Sequence, residues 1–555
     1  MASLDLPQLH AVRRAKRGAT GVLGLLLAMA AAGPAQAAGA ASTSITAVAK
    51  ASDVTGKDIA TLQRAQSQGQ VSSLQLVDAY LARIARIDRA GPTLRSVLAI
   101  NPEARAQARA LDKERTAGHV RGPLHGIPLL IKDNIETADP LPTTAGSLAL
   151  AENRSGRDAP LVARLRAAGA VILGKTNLSE WANIRSTSSV SGWSATGGQT
   201  RNPYALDRSA CGSSSGSAAA VAASLAAAAI GTETDGSITC PASMNGLVGI
   251  KPTVGLVSRT FVVPISHSQD TPGPIAHTVA DAATLLQVIS GSDPLDPATR
   301  GADSRRPDAS AGNAGSGLSG VRIGVMPASN ALPGVQNLVA SAVRRLSAAG
   351  AIVVEVTAPP ETDKLGDLEL TVLLTELKSD LNAYLASTPV AVTTRTLADV
   401  IAFNRSHAAS EMPLFGQELF TRAEATAGPQ SAAYVQALED SRRIAGRDGI
   451  DKIIAEHQLQ ALIAFTEGPA MPIDPVNGDA INGSGPGNLP AIAGFPHLTL
   501  PMGLVKGLPV GLSVIGPAWS DATVLSIAAG VERVLGPIAP PRYARTTARL
   551  LDEQP

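Results

Sequence analysis

The 555 residues are 45% hydrophobic and 17% charged, ample for a large core and outside the range of disordered chains. Lys and Arg number 47 against 46 Asp and Glu, a formal net charge of +1, so no general field draws in nucleic acid or an anionic membrane. Aromatic residues make up only 3%, which leaves Ala, Leu, Val and Ile to build the core.

The chain opens with Arg13, Arg14, Lys16 and Arg17, followed by an apolar run from Val22 to Ala32, Pro34, and the A-x-A pattern Ala35-Gln36-Ala37. The run is too short to span a bilayer of ~30 Å. An export signal peptide is therefore expected over 1–37, cleaved near Ala37, giving a periplasmic or secreted protein with no membrane span in the mature chain. The paired arginines leave general and twin-arginine export both open. A flexible, small-residue segment over 38–52 then leads into one enzyme domain over 53–545. Export permits a disulfide between the two cysteines, Cys211 and Cys240. Two cysteines make no framework, however, and the expectation is two buried small apolar side chains.

Serine capping residues and the spacing of Leu76, Tyr80, Ile84 and Ile87 predict an amphipathic helix over 72–89, and 102–116 predicts another. A short apolar strand, Leu129-Leu130-Ile131, runs into Lys132. A helix over 160–168 precedes a buried strand from Ala170 to Leu173. Residues 186–216 are crowded with Ser, Thr and Gly and read as a functional loop region. An Ala-rich helix is expected over 217–229. Strands follow at 321–326, 351–356, 461–465, 498–501 and 510–515, and helices fill much of 336–348, 367–386, 396–425, 430–447 and 521–535. Helices followed by short apolar strands imply an α/β architecture. The polar, Gly/Ser-rich stretch 301–319 is a candidate lobe boundary.

Three segments resist explanation by packing. Lys132 emerges from the end of a buried strand, where it is either a snorkelling lysine or a base whose pKa burial has lowered. Residues 210–217, ACGSSSGS, hold three consecutive serines, of which a helix cap accounts for one. Residues 231–237, GTETDGS, place Gly236 where a tight turn can aim successive N–H groups into one concavity, although an ordinary surface turn fits that segment equally well.

Taken together these segments resemble the amidase signature family, whose Ser–cis-Ser–Lys site combines a strand-end lysine, a GGSSGGS loop and a GTDTGGS turn. The likeness runs from about Leu62 to Leu535 and includes KPTVGLVSR (251–259), TPGPIAHTVAD (271–281) and GLPVGLSVIGP (507–517). The segments GKTNLSEWAN (174–183), GWSATGGQTRNPY (192–204) and CGSSSGSA (211–218) resemble bacterial peptide amidases in particular. The resemblance implies a large mixed β-sheet core surrounded by α-helices. It also implies Ser237 as nucleophile, Ser213 as bridging serine and Lys132 as base. An oxyanion hole would come from the backbone of Thr234, Asp235, Gly236 and Ser237, and the Gly212–Ser213 peptide would be cis. Ser214 would help to orient Lys132 or Ser213. Cys211, Ser215 and Asp235 stand where the common pattern has glycine, and Asp235 adds a carboxyl beside the nucleophile.

The implied reaction is hydrolysis of a carboxamide through an acyl-enzyme, with C-terminally amidated peptides as the favoured substrates. Small aliphatic, aromatic or fatty amides are the alternative. A third reading, the glutaminase subunit of a tRNA-dependent amidotransferase, is opposed by the export segment. No metal or organic cofactor is implied, and the protein is expected to act as a monomer or simple homo-oligomer on a small-molecule or peptide amide. Residues 212–216 also fit the G-x-S-x-G elbow with Ser214 as nucleophile and His497 as partner, but that motif requires a preceding strand, which 201–210 does not resemble.

Overall fold

A computed structural model describes residues 53–313, 317–481 and 483–552; the expected signal peptide and the segment 38–52 lie outside the described residues. Short apolar runs form the strands β1 (Val97–Ile100), β2 (Pro128–Lys132), β3 (Val171–Thr176), β4 (Ala228–Glu233), β5 (Val248–Lys251) and β6 (Thr271–Ala276). The second half of the chain contributes β7 (Arg322–Val325), β8 (Ile352–Glu355), β9 (Ala461–Phe465), β10 (His497–Val505) and β11 (Leu508–Ile515). All join one sheet in the order β1-β3-β2-β4-β6-β5-β10-β11-β9-β7-β8. Pairing is parallel at β3-β2-β4 and again at β9-β7-β8, and antiparallel elsewhere, so the sheet is mixed. Every residue of β2, β3, β4, β9 and β11 is buried, which is why β2, β3, β9 and β11 open as continuous apolar runs rather than alternating ones.

Helices cover this sheet. The first amphipathic pattern forms α1 (Ser73–Arg83), closed at its start by a capping box between Ser72 and Gln75, and continues as a π-helical stretch to Asp88. The Ala-rich run departs from the expected length. It forms α2 (Ser215–Ala222) and then stops, because Ser224 adopts φ 52° and Arg83 takes the carbonyls of Ala223 and Ser224, each at 2.7 Å. The chain released there becomes β4. A short helix, α3 (Thr239–Met244), follows the turn after β4, and a long one, α4 (Leu365–Ala386), crosses the second half. The helix expected over 396–425 is three pieces, Leu397–Ser406, Ala408–Glu411 and Glu418–Glu424, with Pro413 and Gly416 in the gap before the last.

Three strands carry little sequence signal. β1 and β5 are only four residues long, and β6 reads TPGPIA, whose prolines and glycine argue against a strand. β6 is nonetheless fully buried and paired along its length with β4. The candidate lobe boundary 301–319 carries two 3-10 turns, with buried Gly312 seated against Val279, Ala280 and Ala283. Strands from before and after it share the sheet.

Candidate active site

Three loops meet where the parallel strands β2 and β4 end at their carboxyl edge, the place where open α/β sheets characteristically hold ligands. The last residue of β2 is Lys132, 0% exposed. The last residues of β4 are Thr232 and Glu233, after which the chain turns through 234–237 into α3. The third loop, 211–214, leads into α2, and its Gly212–Ser213 peptide is cis, as the resemblance implied. No side chain fits at Gly212, since a Cβ would lie 2.1 Å from Ser179 Oγ. Backbone bonds tie the loops together: Ser214 N donates to Ser237 O at 3.1 Å, and Ser179 N donates to Ser213 O at 3.0 Å.

Lys132 Nζ lies 2.7 Å from Ser213 Oγ, 2.8 Å from Thr232 Oγ1 and 3.2 Å from Thr232 O. Among the described residues it forms no ion pair. Burial lowers its pKa from 10.5 to about 7, against a smaller upward pull from Asp270 and Glu233. A neutral amine has two N–H bonds and one lone pair. The two oxygens of Thr232 can accept both N–H bonds, which leaves the lone pair for the Ser213 hydroxyl. Asn134 Nδ2 supports the arrangement from 2.9 Å by donating to Thr232 Oγ1. Ser214 Oγ donates to Thr232 O at 3.1 Å and accepts from Thr232 N at 3.2 Å, so it braces the lysine's acceptor.

The turn is built to spare its donors. Glu233 Oε2 accepts from the N–H groups of Ile238 and Thr239, at 2.7 and 2.9 Å, and so caps α3. Gly236 takes φ 73°, a left-handed conformation that glycine tolerates best. Among the described residues, none of the N–H groups of Thr234, Asp235, Gly236 and Ser237 meets a protein acceptor. The Ser237 side chain stands 8% exposed beside them, whereas Ser213 is fully buried. The arrangement therefore places Ser237, the more exposed of the two serines, next to unspent donors, with the fully buried Ser213 of the adjoining loop paired with Lys132.

The cysteines correct an expectation. Cys211 and Cys240 are disulfide-bonded, with Cα atoms 6.0 Å apart, rather than two separate apolar side chains. The closeness follows from the fold, since Cys211 precedes the 212–214 loop and Cys240 lies in the first turn of α3. Ser214 is not an elbow nucleophile. A loop rather than a strand precedes it, its hydroxyl is spent on Thr232, and His497 faces Ser513 Oγ at 2.7 Å with its pKa lowered by burial to about 3.

Two other buried lysines show why position decides. Lys175 pairs with Asp133 at 3.4 Å and donates to Ile135 O and Thr143 Oγ1, while Lys251, lowered by burial to about 8, donates to Pro252 O. Neither has the serine partner that Lys132 has. Asp235 is partly exposed and its carboxyl is pushed well above the usual range, first by desolvation and then by Glu369, Glu233 and Glu467. Among the described residues one His–Asp–Glu group could offer metal ligands: His267, Glu376 and Asp380. Its atoms already serve other bonds, with His267 Nδ1 2.9 Å from Asp380 and the Glu376 oxygens accepting from Ser268 and Tyr434.

Thr232, Asn134, Gln269 and Asp270 were not singled out from the sequence. Thr232 and Asn134 stand inside segments that were, and their polarity at the ends of buried strands was the available signal. Phe415 lies edge-on to Trp193 at 5.4 Å, and Phe420 edge-on to Trp181 at 5.8 Å.

Comparison with known proteins adds to this geometry. A family model described as Amidase matches residues 75–525. The solved peptide amidase from Stenotrophomonas maltophilia is similar with a TM-score of 0.82 and 49% identity, covering 89% of this chain and 99% of its own. A probable amidase of Arabidopsis thaliana is 41% identical over 498 residues, 87% of this chain and 91% of that protein. A glutamyl-tRNA(Gln) amidotransferase subunit of Salinispora tropica is 37% identical over 504 residues, 88% of this chain and 99% of that one.

Proposed function

The chain belongs to the amidase family, and we propose that it is a peptide amidase in which Ser237 attacks the carboxamide of a C-terminally amidated peptide. The observation that carries the chemistry is Lys132 Nζ, buried with no ion pair among the described residues and 2.7 Å from Ser213 Oγ, in the loop bonded to Ser237. As Ser237 Oγ bonds to the carbonyl carbon, its proton passes to Ser213 Oγ, and Ser213 passes its own to neutral Lys132. The free N–H groups of 234–237 bind the oxyanion. Collapse returns the proton from Lys132 through Ser213 to the leaving nitrogen, and ammonia departs. Water then repeats the relay against the acyl-enzyme. The chemistry needs no metal or organic cofactor.

Support for a peptide amide rather than a simpler one comes from the likeness to the Stenotrophomonas enzyme over nine-tenths of the chain. The deciding experiment measures ammonia release from a panel of amidated peptides, asparagine, glutamine, and simple aliphatic, aromatic and fatty amides. Highest kcat/KM on amidated peptides is expected. Preference for glutamine or for simple amides would overturn the substrate assignment while leaving the amidase.

The reading includes export. Its support is the basic, apolar and A-x-A order of residues 1–37, and no described helix is long and apolar enough to cross a membrane. Fractionation of expressing cells with N-terminal sequencing tests it, the expected mature terminus lying near Ala38.

A further inference from the structure

The segment 261–270, just before β6, forms a strap from the end of the lysine's strand to the oxyanion turn. Near its start Val263 N donates to Asn134 O at 2.8 Å, two residues beyond Lys132. Its middle is clamped on α4: Ser268 N donates to Glu376 at 3.0 Å, His267 N to Asp380 at 2.9 Å, and the Ser266 hydroxyl to Glu376. Near its end Gln269 Nε2 reaches both Glu369 at 2.7 Å and Thr234 O at 3.3 Å.

Asp270 closes the strap. One carboxylate oxygen accepts from the N–H groups of Ile265 and Ser266, at 2.8 and 2.9 Å, and the other from Thr234 Oγ1 at 2.6 Å. We infer that Asp270 is a positioning residue for the amidase reaction, holding the oxyanion turn through Thr234 and setting its charge two residues along from Thr232, whose oxygens hold Lys132 Nζ. The inference rests on the proposed roles of Lys132 and Ser237.

The geometry accounts for both parts. Thr234 supplies the first N–H of the oxyanion turn, and its side chain has no other hydrogen-bond partner among the described residues. Loss of that bond frees the turn at the point where β4 ends. The charge acts on the base, because a carboxylate favours the ammonium form of a nearby lysine. Asp270 and Glu233 are the two acids acting on Lys132, and the positive charge of Arg259 acts on Asp270. His267, with Glu376 and Asp380, faces α4 at the strap's middle. Burial pushes the Asp270 carboxyl up to about 6, against the pull of its three hydrogen bonds.

The test compares Asp270→Asn, Thr234→Val and Thr234→Ser in the full chain. Lys132 is titrated by NMR on protein carrying 13Cε-lysine, assigned by loss of the signal in Lys132→Met. This readout needs no substrate, so it stands even if the amide assignment fails. Asp270→Asn is expected to lower the pH at which Lys132 titrates by about 0.5–1 unit. In parallel, kcat on an amide is expected to fall about tenfold in Thr234→Val, with KM little changed, and to recover in Thr234→Ser. An unchanged Lys132 titration in Asp270→Asn overturns the electrostatic part. Wild-type kcat in Thr234→Val overturns the positioning part, and this arm holds if Asp270→Asn does not fold.

Discussion

Lys132 and Ser213 face each other at 2.7 Å across the carboxyl edge of the sheet, the lysine fully buried and without an ion pair among the described residues. A charged lysine is poorly solvated there, and its lowered pKa of about 7 follows from that. The base form is therefore available near neutrality. With neutral Lys132 required, kcat/KM is expected to rise as pH climbs through about 7 and to level above it. In Lys132→Met most activity is lost and the rise at pH 7 disappears from what remains. A residually active variant that keeps the same rise excludes Lys132 as the titrating group.

The three serines have different surroundings, and their substitutions should separate. Ser237→Ala is expected to lower kcat by at least ~10⁴-fold, since the attacking atom is gone. Ser213→Ala removes the link to the lysine and is expected to cost ~10²–10⁴-fold. Ser214→Ala loses only a brace on Thr232 and is expected to stay within ~10-fold of the parent. Steady-state kinetics on one amide substrate orders them, and a larger loss for Ser214 than for Ser237 would reverse the assignment.

Burying Lys132 also leaves a signature in stability. Its folded pKa, about 7, lies below its ordinary value of 10.5, so between these values the unfolded chain holds the extra proton. Stability therefore rises with pH across that window. The penalty for burial, about 4 kcal/mol at pH 7, fades by roughly 1.4 kcal/mol per pH unit. Chemical denaturation of the parent and of Lys132→Met at pH 7, 8 and 9 should show the parent gaining on the variant by about that slope. Parallel pH dependences would mean that Lys132 is not depressed.

The disulfide joins the loop before Ser213 to the helix after Ser237, across a sequence separation of 29. Chain-entropy arguments put its contribution at about 3–4 kcal/mol for a loop of this length. The double variant Cys211→Ala/Cys240→Ala is expected to lose stability of that order, measured by denaturant titration. Because the backbone bond from Ser214 to Ser237 persists, the pH of the activity rise is expected to stay near 7.

How much could be read in advance follows from where each signal resides. Apolar runs buried on both faces announced β2, β3, β9 and β11, because a doubly covered strand is rich in apolar residues, whereas the alanines that open β4 read as the end of a helix. The catalytic candidates Lys132, Ser213 and Ser237 were legible only together, through the resemblance of their three segments to the amidase signature, since each segment alone also fitted an ordinary structural role. β6 was not legible, since local propensity speaks against TPGPIA and only pairing with β4 makes it a strand. The end of α2 was not legible either, because the residue that stops it, Arg83, lies about 140 positions earlier.

By itself the sequence determined the reaction class and offered candidate residues for it, since both rest on side-chain chemistry and on family likeness at defined spacings. Tertiary structure decided the state of those groups. It paired Cys211 with Cys240, assigned Thr232 to hold the lysine's N–H bonds, and set Asp270 between the strap and the oxyanion turn. These relations join residues dozens to hundreds of positions apart. Hydrogen bonds, burial and charge act over a few ångströms of space, and the fold alone decides which residues share that space.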